Sequence, residues 1–240
     1  MKALYIALLA IVAIAGCNDK STTKPITDMT ASTGSTSKGG VYSYLALGDS
    51  YTIGEAVPQA QSFPYQLTAL LNRSGEDVGD PTIIATTGWT TDNLINAISQ
   101  SNIHGKTYDF VTLLIGVNDQ YQGLSQTNYR AKFKQVLATA ISFAKGDTSR
   151  VFVLSIPDYG VTPFANGKDD IIGPQIDQFN AINLDESQKA GAHYINITPI
   201  SKSAANDLTL VAEDGLHPSA KMYGLWVSQL IPMVKARLDK

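Results

Sequence analysis

The chain has 240 residues, with 18 Lys plus Arg against 21 Asp plus Glu, three His and one Cys, for a formal net charge of −3. It contains no run of basic residues, which excludes a nucleic-acid protein, because counterion release needs clustered Lys and Arg. A hydrophobic share of 44% is too high for wholesale disorder, and a single Cys excludes both an internal disulfide framework and a Cys-rich zinc site.

The chain opens with Met1 and Lys2, followed by an apolar or small run from Ala3 to Gly16. One positive charge before such a run is the layout of a signal peptide over residues 1–16, and the run is shorter than the ~20 residues of a membrane span. It ends Ile14-Ala15-Gly16-Cys17, which resembles the lipobox of bacterial lipoproteins. That resemblance implies that Cys17 is diacylated and becomes the mature N-terminus, tethering the protein to a membrane without spanning it. An ordinary secretory signal is the alternative, but no Ala-x-Ala-like site follows. Asn18 stands where an Asp would, by the same resemblance, favour inner-membrane retention, so attachment to the outer membrane is expected in a Gram-negative cell. From Asn18 to Gly40, ten of 23 residues are Ser or Thr, with no apolar periodicity. Residues 17–40 therefore read as a flexible tether, leaving 41–240 as one folded domain.

Val41 to Leu47 is a short apolar, aromatic-rich run, read as a first strand that stops at Gly48. Ser62 can cap a helix with Pro64 in its first turn and Phe63, Leu67, Leu70 and Leu71 on one face, ended by Gly75. Thr82 to Thr86 reads as a second strand and Thr91 to Gln100 as a helix. Phe110 to Ile115 is apolar apart from Thr112, as expected of a strand buried on both faces. Tyr129, Phe133, Val136, Leu137, Ala140, Ile141 and Ala144 then step by threes and fours along a helix that ends before Gly146. Val151 to Ile156 is a fourth strand, terminated by Pro157; a weaker helix spans Gly173 to Ala190, and Ala192 to Ile197 is a fifth strand. Met222, Leu225, Trp226, Leu230, Met233 and Val234 stripe a last helix, with a kink expected at Pro232. Strand and helix alternating five times predicts an α/β fold with a mostly parallel sheet covered on both faces.

Open parallel sheets bind ligands beyond the carboxyl ends of their strands, so the residues there are the ones to read. They are Gly48-Asp49-Ser50 after the first strand, Gly88 after the second and Gly116-Val117-Asn118-Asp119 after the third. Asp214-Gly215-Leu216-His217-Pro218 lies between the fifth strand and the last helix. A hydroxyl, a glycine amide, a carboxamide, a carboxylate and an imidazole on one rim are the parts needed for acyl transfer. Taken singly, each has a plain alternative. Ser50 can simply cap a turn, Asn118 can form an Asx turn, and Gly88 can be a turn glycine. His104 at a helix end and His193 at a strand start need no catalytic role. His217 differs, because Asp214 three residues earlier can fold back onto the imidazole and fix its tautomer.

In order along the chain, Gly48-Asp49-Ser50, Gly88, Gly116-x-Asn118-Asp119 and Asp214-x-x-His217 resemble blocks I, II, III and V of the SGNH (GDSL-type) hydrolases. The resemblance covers Val41 to Lys240. It implies a flavodoxin-like three-layer α/β/α sandwich with a five-stranded parallel sheet. It also implies a Ser50–His217–Asp214 triad and an oxyanion hole from Ser50, Gly88 and Asn118, with no cofactor and no metal. Tyr51-Thr52 stand where the family commonly continues with Leu, which predicts a more polar pocket beside Ser50. Asp119 receives no separate role. The α/β-hydrolase signature Gly-x-Ser-x-Gly is not met, because position 52 is Thr.

The expected function is therefore a lipid-anchored serine esterase for short to medium acyl chains, lysophospholipase-like and lipase-like. A carbohydrate or peptidoglycan O-acetylesterase is the alternative, and a non-catalytic envelope binding protein on the same fold is the alternative of another class. Tyr51, Trp89, Tyr121, Tyr159 and Phe164 are candidate lining residues, as aromatic side chains near the rim.

Overall fold

The computed structural model describes residues 41–238. The expected signal peptide, Cys17 and the Ser/Thr-rich tether lie outside these residues.

Five strands form one parallel sheet: β1 Tyr44–Gly48, β2 Thr82–Ala85, β3 Phe110–Leu114, β4 Val151–Leu154 and β5 His193–Ile195. Their spatial order is β2-β1-β3-β4-β5. The chain moves outward from β1 to β2, then crosses back over β1 to β3 and continues in that direction. Because parallel crossovers are right-handed, this reversal places the first connecting helix on one face and the later ones on the other. The helix after β1, α2 (Phe63–Arg73), accordingly packs with the C-terminal α8 (Ala220–Leu238). The second layer comprises α3 (Thr91–Gln100), α5 (Gln126–Phe143) and α6 (Asp169–Ala190), with α5 touching both its neighbours. Short helices follow three of the strands: α1 (Ser50–Ile53), α4 (Val117–Tyr121) and α7 (Thr198–Lys202). Among the described residues no helix is long and apolar enough to cross a membrane.

Every residue of β1, β3 and β4 is buried, which explains their apolar sequences, broken only by Thr112, whose hydroxyl pairs with that of Tyr44 at 2.7 Å. The sheet core is continuous with Phe63 and Leu67 of α2 and Trp226, Val227 and Leu230 of α8. Gly48 pairs with Ala85 on one side and Leu114 on the other, so β1, β2 and β3 end level. The crevice at the reversal of strand order opens there.

Several sequence expectations shift in detail. Strand β1 starts at Tyr44, because Val41 projects into solvent at 74% exposure and Tyr42 makes only an isolated bridge to Val78. Ser62 occupies the position before α2 without capping it; its hydroxyl donates instead to the Gln59 carbonyl at 2.9 Å. Helix α6 begins at Asp169 and runs through Pro174. Leu225, placed in the buried stripe of α8 by periodicity, is 42% exposed, whereas Tyr223 is fully buried against Phe63 and Trp226.

Candidate active site

The turn after β1 is built by close approach. A Cβ on Gly48 would fall 2.1 Å from Thr52 Oγ1 and 2.4 Å from the Leu114 carbonyl oxygen, so only glycine lets the chain turn so tightly against β3. Asp49 caps α1, its Oδ1 accepting from the Tyr51 N–H at 3.1 Å, and Ser50 is the first helical residue. The second pocket-forming turn holds Gly88 at φ +80°, with open space where a Cβ would be. The third follows Gly116 at φ +127°, where a Cβ would fall 2.3 Å from the Tyr129 hydroxyl oxygen.

These turns and the late Asp214–His217 turn meet in one cleft of about 170 Å³, lined by Ser50, Gly88, Asn118 and His217 together with Tyr121 and Phe164. Ser50 is 4% exposed and His217 7%. Asp214 Oδ2 lies 2.5 Å from His217 Nδ1, and its Oδ1 accepts the backbone N–H groups of Leu216 and His217 at 3.0 Å each. Partial burial opposes ionisation of Asp214, but these hydrogen bonds outweigh it and hold the carboxyl below its ordinary value. The carboxylate thus fixes Nδ1 as the protonated nitrogen and leaves Nε2 as an acceptor. The Tyr51 ring meets the imidazole in an edge-type contact, centroids 5.6 Å apart, and makes a second such contact with Trp226 at 6.4 Å. The backbone N–H of Phe164 donates to the Gly215 carbonyl at 3.0 Å, which braces the same turn from the other side.

Asn118 Nδ2 donates one hydrogen to the Trp89 carbonyl at 3.0 Å, tying α4 to the segment that carries Gly88 and leaving its second hydrogen available. Asp119, given no role from sequence, makes the parallel tie. Its buried Oδ2 accepts from the Thr91 N–H at 2.9 Å and the Thr91 hydroxyl at 3.0 Å, at the first turn of α3. Burial raises Asp119 to about 6 despite these bonds. Beneath Ser50, burial and the neighbouring Asp119 push the fully enclosed Asp49 up to about 8, and the bond from the Tyr51 N–H offsets only part of this. Asp49 Oδ2 has no hydrogen-bond partner.

The other expectations divide. Tyr51, Tyr121, Tyr159 and Phe164 line the cleft. Trp89 does not, because its ring packs against the core and only its carbonyl faces Asn118. Thr52 also stays out of the cleft, packed behind Gly48, so it adds none of the polarity expected beside Ser50. His104 is exposed, its Nε2 2.6 Å from the Ser99 carbonyl oxygen, and His193 stacks on Phe152. Neither reaches the cleft. Among the described residues no cluster of His, Cys, Asp and Glu could hold a metal ion. The tie between Asp119 and Thr91 joins positions 28 apart, a contact that no local pattern announces.

The profile of the GDSL-like lipase/acylhydrolase family matches residues 46–225. No curated protein sequence matches the chain significantly. Among solved structures, a crystal structure of TesA is 15% identical with a TM-score of 0.65, covering 81% of this chain and 99% of that one. The psychrotrophic esterase EstA from Pseudoalteromonas sp., in a form inhibited by monoethylphosphonate, is 15% identical with a TM-score of 0.64, covering 83% and 100%. Axe2, an acetylxylan esterase from Geobacillus stearothermophilus, is 15% identical with a TM-score of 0.62, covering 84% and 96%.

Proposed function

The chain belongs to the GDSL-like lipase/acylhydrolase family, an ester-hydrolysing family, and we propose that it is a serine esterase in which Ser50, His217 and Asp214 act as a triad. The observation that carries this reading is the His217 imidazole, oriented by Asp214 at 2.5 Å, in the same cleft as the Ser50 hydroxyl. His217 Nε2 removes the hydroxyl proton as Ser50 Oγ attacks the ester carbonyl. The tetrahedral oxyanion is received by the Ser50 and Gly88 N–H groups and by Asn118 Nδ2. Collapse expels the leaving alcohol, which takes its proton from His217. Water then cleaves the acyl-enzyme by the same steps in reverse order, restoring Ser50.

Cleft size bears on the acyl group. An apolar cavity of ~150 Å³ holds one benzene, so about 170 Å³ suits short acyl chains of up to about six carbons. Medium chains extend onto the exposed faces of Tyr121 and Phe164. Attachment to a membrane through an acylated Cys17, in the cell envelope, completes the proposal and is supported by the sequence alone.

A series of 4-nitrophenyl esters from acetate to octanoate tests this. Turnover is expected to be highest for the short esters and to fall by several orders of magnitude in Ser50→Ala with the fold intact. A Ser50→Ala variant of near-normal activity would remove Ser50 from the mechanism. No turnover of any ester by the unaltered protein would favour a binding protein on this fold.

A further inference from the structure

The turn between β2 and α3 that carries Gly88 stands at the surface, with Thr86, Thr87 and Gly88 all exposed. Its proposed work depends on one peptide plane, because the Gly88 N–H belongs to the Thr87–Gly88 peptide and points where that plane points. Gly88 itself imposes little on the plane: at φ +80°, with nothing within 4 Å of a Cβ position, it meets no packing that resists rotation. A bond from the Trp89 N–H to the Thr86 carbonyl at 3.3 Å closes the turn. Beyond Gly88, the chain is tied down at the Trp89 carbonyl by Asn118 and at Thr91 by Asp119. Before Gly88, the tie comes from Glu55, whose carboxylate accepts the Thr87 hydroxyl across 32 positions of sequence.

Glu55 is itself anchored to the turn that bears the nucleophile. Its backbone N–H and that of Gly54 donate to the Ser50 carbonyl at 3.1 Å each. Gly54 ends α1 at φ +80°, where a Cβ would fall 2.4 Å from Ser62 Cβ, so the chain turns tightly against the residue before α2. Ala56, the next residue after Glu55, holds a left-handed φ of +63°, a conformation that a side chain disfavours and that persists only where neighbouring contacts impose it. A constrained turn thus presents the Glu55 carboxylate to Thr87 from the Ser50 side.

We infer that Glu55 is a positioning residue: by holding the Thr87 hydroxyl it fixes the Thr87–Gly88 peptide and aims the Gly88 N–H at the oxyanion that forms when Ser50 attacks. This rests on the esterase reading above and adds a residue to it. A carboxylate acceptor makes the bond to Thr87 stronger than one between neutral groups. Thr87 lines the cleft, but its hydroxyl hydrogen is committed to Glu55 and is not offered to substrate. Thr87 is exposed and Glu55 half-buried, so their bond adds little to folding stability, whereas a small displacement of an oxyanion donor weakens transition-state stabilisation sharply.

The test measures kcat and KM for 4-nitrophenyl acetate, with thermal unfolding alongside, in Glu55→Ala, Thr87→Val and the double variant. Each single variant is expected to lower kcat about tenfold with KM within about twofold, and the double variant to fall no further, because the same bond is lost in all three. Thr87→Ser keeps the hydroxyl and is expected to restore most of the kcat that Thr87→Val loses, with melting temperatures unchanged throughout. Normal kcat in Glu55→Ala overturns the positioning role, and so does a loss confined to KM, which makes Thr87 a substrate contact. Losses that multiply in the double variant show two residues acting separately and overturn it as well. A fall in kcat that tracks a fall in melting temperature across the variants makes the bond a structural brace, with the same consequence. In each of these cases the unaltered protein still hydrolyses the ester and the esterase reading stands; no hydrolysis by the unaltered protein removes both.

Discussion

Asp49 precedes the proposed nucleophile, and its carboxyl offers a direct check on the electrostatics of the site. It is fully buried, one oxygen has no partner, and its titration lies near 8 in place of the ordinary 3.8. In the folded protein the group therefore keeps its proton up to about pH 8, whereas in the unfolded chain it ionises near 3.8. Between those values the unfolded state has lost a proton that the folded state retains, so this residue's contribution falls as pH rises. The contribution is whole below about pH 4 and is lost progressively up to about pH 8. At 1.36 kcal/mol per pH unit, the change between pH 5 and pH 8 is at most about 4 kcal/mol. Asp49→Asn preserves the acceptor for the Tyr51 N–H and cannot ionise. Urea unfolding of both proteins at pH 5 and pH 8 isolates the effect, because every other titrating group is common to the two. The variant should gain up to about 4 kcal/mol relative to the unaltered protein on going from pH 5 to pH 8. An unchanged difference between the two proteins at the two pH values would show that Asp49 is ionised in the folded state and refute the reasoning.

Asn118→Ala removes one of the proposed oxyanion donors and should lower kcat on the order of 10²–10³-fold, with KM nearly constant. A loss confined to KM in steady-state assays would contradict that role. Asp119→Ala frees Thr91 and with it the segment bearing Gly88, so kcat should fall between about tenfold and about a hundredfold, since small misplacements of catalytic groups are costly. Normal kcat would mean that the Asn118 bond to the Trp89 carbonyl suffices to place the loop. Cys17→Ala should move the protein from the membrane to the soluble fraction on cell fractionation, and continued pelleting would refute lipid attachment.

What the linear sequence determined is whatever rests on neighbours within a few residues. Largely apolar runs marked β1, β3 and β4, because a strand covered on both faces must be apolar wherever a side chain has no hydrogen-bond partner. The step of threes and fours from Tyr129 to Ala144 located α5, and Thr91 to Gln100 emerged as α3 with both ends correct. Asp214 and His217 were legible as a pair because three residues span one turn. Reading outward from the strand ends also placed Ser50, Gly88 and Asn118 together, and they line one cleft because parallel strands present their carboxyl ends on one rim.

Tertiary structure decided what depends on distant partners. The order β2-β1-β3-β4-β5 follows from the direction of each crossover, which no periodicity encodes. Helical spacing put Leu225 on the buried stripe, but packing against Phe63 of α2 buried Tyr223 in its place. Trp89 was read as a lining ring, yet the core takes the ring and Asn118 takes the carbonyl. Asp119 acquires its work only when Thr91 arrives from another crossover connection. A side chain's local sequence sets which face of its element it occupies; the partner on that face is a property of the whole packed chain.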